Sequence, residues 1–71
     1  MTTIFVGICL AVDAQNNDKI YALGFDHLDN AIDYVNNGCE QVPGEVIYDS
    51  YVVRYIFDDR NNMLSSVRVY N

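Results

Sequence analysis

One histidine, two cysteines and ten carboxylates are the side chains of this chain that could do chemistry, and their spacing decides what is open to them. Asp26, Asp29 and Asp33 recur at i, i+3 and i+7, on one side of a predicted helix. Paired carboxylates divide acid and base roles only when burial or neighbours separate their pKa values. A solvated helix face offers neither. Asp58 and Asp59, with Arg60 beside them, have the same shortcoming. His27 lies near Asp26 and Asp29, but these do not make a three-ligand zinc set. The loop from Asp13 to Asp18 offers oxygen ligands without the glycine and terminal glutamate of an EF-hand. Cys9 sits in an apolar run that disfavours a thiolate, and Cys39 follows a helix C-terminus, where the dipole also opposes an anion. His27 and Cys39 occupy opposite ends of the predicted helix, about 18 Å apart at 1.5 Å per residue, too far for a dyad. Gly7, Gly24, Gly38 and Gly44 are scattered and form no phosphate-cradling loop. The expectation is a protein without catalysis, metal or cofactor.

Those residues are carried by five predicted elements. Residues 3–13 read as a strand apolar on both faces, hence central, with Ile4, Val6, Ile8, Leu10 and Val12 on one face and Phe5, Gly7, Cys9 and Ala11 on the other. The uniformly aliphatic face is expected to meet the core. This run lacks the basic flank of a signal peptide and is too short to span a bilayer. A second strand follows over 19–25. A helix is expected from Asp26 to Asn37, capped by Asp26, carrying the stripe Leu28, Ala31, Ile32 and Val35, and ended at Gly38. Gln41-Val42-Pro43-Gly44 marks a turn. Strands over 45–57, with a bulge or bend near Asp49-Ser50, and over 63–70 complete the set. Asp13-Ala14-Gln15-Asn16-Asn17 and Asp58-Asp59-Arg60-Asn61-Asn62 look alike, as two hairpin turns of one type would. The expected fold is α+β, one domain over residues 1–71. Its order is β-β-α-β-β, giving a four-stranded antiparallel sheet of order 2-1-3-4 with the helix on one face. The stripe is expected to pack on Ile4, Val6, Ile8 and Leu10.

Charge and aromatic content narrow the function. Four basic residues against ten acidic ones, a net charge of -6, oppose direct nucleic-acid binding and polybasic membrane attachment. A hydrophobic fraction of 51% opposes disorder. Two cysteines without metal-ligand spacing read as buried thiols in a reducing compartment, hence a cytoplasmic protein, with a disulfide as the other option. Six tyrosines in so short a chain are the most informative feature. One helix covers one face of a four-stranded sheet, and tyrosine suits the other, since its ring buries area while its hydroxyl stays wet. Tyr51, Val53, Tyr55, Phe57, Arg68 and Tyr70 are expected to form that outer face. Interfaces favour Tyr and Arg and deplete Lys, and Lys19 is the sole lysine. The expected function is a non-catalytic protein-binding or inhibitor module acting through this face, as a homodimer or with a protein partner. One alternative is an acidic nucleic-acid mimic, its track drawn from Asp26, Asp29, Asp33, Asp58 and Asp59 together with Glu40, Glu45 and Asp49. A second is a small-ligand-binding domain with a pocket between helix and sheet.

Overall fold

β-Branched and aromatic residues dominate the apolar runs, and the breaks between them fall at Asn, Asp and Gly clusters, which is why strands form where they do. The computed structural model describes residues 1–40 and 42–71. The described residues form β1 (Thr2–Val12), β2 (Asp18–Phe25), α1 (Leu28–Asn36), β3 (Val46–Phe57) and β4 (Met63–Tyr70). The sheet is antiparallel throughout, in the order β2-β1-β3-β4, with α1 on one face, as predicted. The expected turn at 41–44 is formed at Pro43-Gly44, closed by the Glu45 N–H donating to the Val42 carbonyl at 3.2 Å. Gln41 lies outside the described residues.

The helix starts one turn-residue later than predicted. His27, not Asp26, is the N-cap, and no side chain bonds the free amides there. The stop signal behaves as expected. Gly38 takes φ 76°, and Cys39 behind it φ 54°. The Gly38 and Cys39 amides then close onto the carbonyls of Val35 and Tyr34.

The face of β1 that meets the helix is the opposite of the one predicted. A Cβ on Gly7 would stand 2.8 Å from Tyr34 Cδ2 and 3.1 Å from Val35 Cγ1, so α1 rests directly on Gly7. Phe5, Cys9 and Ala11 share that side, and Ile4, Val6, Ile8 and Leu10 point away from the helix. The physical reason is distance. Helix and sheet close-pack where side chains are small, and Gly7, Cys9 and Ala11 make the seat. A ridge of branched aliphatics would hold the helix off. The core is accordingly Cys9, Ala31, Val35 and Val52, rimmed by Phe5, Phe25, Leu28, Ile32 and Ile47. In an antiparallel sheet, residues directly opposite one another project to the same side. Val52 faces Gly7 across the β1–β3 ladder and is fully buried on the helix side of the sheet.

The same facing changes the cysteines. With Cys9 beneath the helix and Cys39 just past its end, the two form a disulfide, Cα–Cα 6.4 Å. The expectation of separate thiols, drawn from the spacing of the two cysteines, gives way to the disulfide that was its alternative.

Candidate interaction surface

The sheet face away from α1 is built from alternate residues of all four strands. Its β1 row is Ile4, Val6, Ile8 and Leu10. Across the ladder these pair with Tyr55, Val53, Tyr51 and Asp49 of β3. Phe57, opposite Thr2, extends the β3 row. On the β2 side the partners are Gly24, Ala22 and Ile20. On the β4 side they are Met63, Ser66 and Arg68, opposite Phe57, Tyr55 and Val53. Nothing among the described residues covers this face, and Ile20 is 72% exposed, Val46 64% and Met63 57%.

Five of the six residues predicted for the surface therefore share one side: Tyr51, Val53, Tyr55, Phe57 and Arg68. The Arg68 guanidinium lies 3.9 Å from the Tyr51 ring centroid, a cation–π stack. The rings of Tyr55 and Phe57 stack with centroids 6.4 Å apart. Tyr70 does not belong. It pairs with Val52, packs at the edge of the core, and its hydroxyl donates to Asn36 Oδ1 on the helix at 3.0 Å. Two bulges in β4 explain this. Ile56 pairs with Ser65 and Phe57 with Met63, so Leu64 is an extra residue. Val53 pairs with Arg68 and Val52 with Tyr70, so Val69 is another. Each extra residue inverts the facing of the strand residues beyond it. Leu64 is the residue at the first of these shifts. A third bulge, at Tyr48 in β3, adjoins the predicted position: Leu10 pairs with Asp49 but Ala11 with Ile47.

Sequence reasoning missed Ile4, Val6, Ile8 and Ala22 as part of this surface. The alternation of small residues at Gly7, Cys9 and Ala11 was the signal that could have placed them. With Tyr55 and Phe57 they line a shallow apolar groove of about 410 Å³. A second groove of about 490 Å³ runs along Ile4, Gly24, Phe25, Asp26, His27 and Asn30 at the start of the helix. Both are open at the surface, and the second lies where the start of the helix meets β1 and β2.

The acidic candidates divide by role. Asp26, Asp29 and Asp33 are exposed on and before α1. Asp58 is engaged in its own turn: Oδ1 accepts from the Arg60 and Asn62 amides at 2.8 and 2.9 Å, and Oδ2 from Asn62 Nδ2. Asp13 repeats this with Gln15 and Asn17. The Asn17 amide above all, and the Asn62 amide in the other turn, hold these two carboxyls below the usual range. Asp59 lies 3.1 Å from the Met1 amino group. Beside the disulfide, Tyr21 donates a hydrogen bond to Glu45, which pushes its phenol up to about 12. Tyr34 donates to Glu40 at 3.1 Å; burial first, and that bond second, raise its phenol too.

Among the described residues no group of three His, Cys, Asp or Glu side chains is placed to hold a metal ion, and no helix is long and apolar enough to cross a membrane. The chain matches no family model, no curated protein and no solved structure.

Proposed function

We propose that this protein is a non-catalytic interaction module that docks another protein surface on its open sheet face. The observation that carries the reading is the extent of that face: two central strands and parts of both edges present a continuous apolar and aromatic surface. Large contiguous apolar patches mark interaction sites on proteins that otherwise stay dispersed. Tyrosine and arginine, the residues that concentrate binding energy in interfaces, stand together on it as the Tyr51–Arg68 stack between β3 and the edge strand β4. An oxidising compartment is part of the reading, in place of the cytoplasm expected from separate thiols. The Cys9–Cys39 bridge supports it, because reducing compartments keep such pairs open.

The test is a photoreactive side chain introduced at Tyr55 and, separately, at Asn30 on the helix. The expected outcome is efficient protein cross-linking from position 55 and little from position 30. Cross-linking confined to position 30 would transfer the function to the acidic helix side. That is the nucleic-acid-mimic reading, which the net charge of -6 favours and the internal use of Asp58 weakens. Binding through that side would also weaken steeply with added salt.

A further inference from the structure

We infer that the occupant of the open sheet face is a second copy of this chain, seated face to face about a two-fold axis that runs parallel to the strands. The inference rests on the reading of that face as a docking surface and adds the partner. Three observations support it.

The first is the relief of the face. Its β2–β1 half is low and aliphatic, with Ala22 and Gly24 beside Ile4, Val6 and Ile8. Its β3–β4 half is high and aromatic, with Tyr51 under Arg68 and Tyr55 against Phe57. A two-fold axis along the strands lays the low half of each copy over the high half of the other. The groove of about 410 Å³, floored by Ile4, Val6, Ile8 and Ala22 of the low half and walled by Tyr55 and Phe57, is then the place where aromatic rings of the second copy would insert. One face carries both members of the fit, as an isologous contact requires.

The second is area. Strands of this length at ~3.3 Å per residue, four abreast at ~4.8 Å, give a face of about 600–700 Å². Two such faces bury about 1,200–1,400 Å², within the span of stable specific interfaces.

The third is charge. Of the ten carboxylates, only Asp18 and Asp49 lie in rows of this face, both toward one end of it. The others belong to the helix, its flanks and the two hairpin turns. Two copies of net charge -6 can therefore meet here with most of their charge directed outward, whereas the acidic helix side would repel itself.

Sedimentation equilibrium of the purified protein is the primary experiment. The expected mass is twice 8.1 kDa at micromolar concentration. Dimerisation should tighten between about 50 and 500 mM NaCl, since salt screens the like charges of the two copies. Tyr55→Asp on the high half and Ala22→Arg on the low half should each return the mass to that of a monomer. Ala22 is exposed on an edge strand, so its substitution leaves the core untouched and serves where Tyr55→Asp proves poorly folded. In a mixture of isotope-labelled and unlabelled protein, the methyls of Ile4 and Ile8 should show contacts to tyrosine rings of the other copy. A dimer unmoved by either substitution, or one whose contacts between copies are methyl to methyl, would overturn the arrangement. A wild type that stays monomeric at millimolar concentration overturns the second copy as occupant. If position 55 still cross-links another protein in that case, the docking reading stands without it; if not, both fall.

Discussion

Gly7 is the residue on which the most depends. A side chain there meets an aromatic ring at 2.8 Å and the Ala31 carbonyl at 3.3 Å, and neither can move without lifting the helix. Gly7→Ala is expected to cost about 1–3 kcal/mol of stability by overpacking. Gly24→Ala is the control. Its new methyl group would meet only Ile4 Cγ2, at 3.4 Å, on the open side of the sheet, and urea denaturation should find it close to wild type. Tyr21 gives a pH-dependent expectation. Its phenol titrates at about 12 in the folded state, against 10.0 as the ordinary value. A raised folded pKa means that its contribution is complete below pH 10 and fades as the pH climbs toward 12. Thermal melts of wild type and Tyr21→Phe should therefore differ at neutral pH and converge on the alkaline side. Phenolate absorbance should show a late-ionising component, to which Tyr34 also contributes, that Tyr21→Phe reduces.

Among the elements, the hairpin turns behave as a matched pair. Each begins at an aspartate whose carboxylate accepts the amides two and four residues on, and each places an asparagine at positive φ, Asn16 at 66° and Asn61 at 63°. Depressed carboxyl values mean that the turns contribute fully above the ordinary 3.8 and lose that contribution as pH falls through the folded values. Replacing both Asp13 and Asp58 by Ala should lower stability at neutral pH and flatten the acid limb of the stability curve below about pH 4. These turns were legible in the sequence because a short-range side-chain bond selects its residues locally. Element order and strand order were legible for a similar reason: apolar runs, breakers and connection lengths leave few topologies. The facing of β1 was not. Both of its faces are apolar, so hydrophobic alternation carries no sign, and only residue size, small at Gly7, Cys9 and Ala11 where the helix seats, separates them. Nor was the position of Tyr70, since the shifts at Leu64 and Val69 leave no mark in the residue types. The surface was therefore half legible, through Tyr51, Val53, Tyr55, Phe57 and Arg68, and its aliphatic half was assigned to the core.

At the scale of the whole molecule, the two hairpins are related. The shift along the chain that carries Asp13 onto Asp58 also carries Gly7 onto Val52, and these two are cross-strand partners. An approximate two-fold axis normal to the sheet passes between them, and α1 breaks it by choosing one side. A core of so few buried residues is thin for a free-standing chain, and the bridge compensates. Its sequence separation of 30 corresponds to ~3–4 kcal/mol of loop-closure stabilisation in the chain-entropy account. Cys9→Ala with Cys39→Ala should lower the unfolding free energy by about 2–4 kcal/mol, read by urea titration. The bridge has a further consequence for the fate of a cut chain. A protease that severs the exposed Asp13–Asp18 turn leaves Cys9 on one fragment and Cys39 on the other. The fragments remain a single covalent body, separable on a denaturing gel only after reduction. The open face takes Ile4, Val6 and Ile8 from the first fragment and Tyr51, Tyr55 and Phe57 from the second, so the nicked protein keeps that face whole.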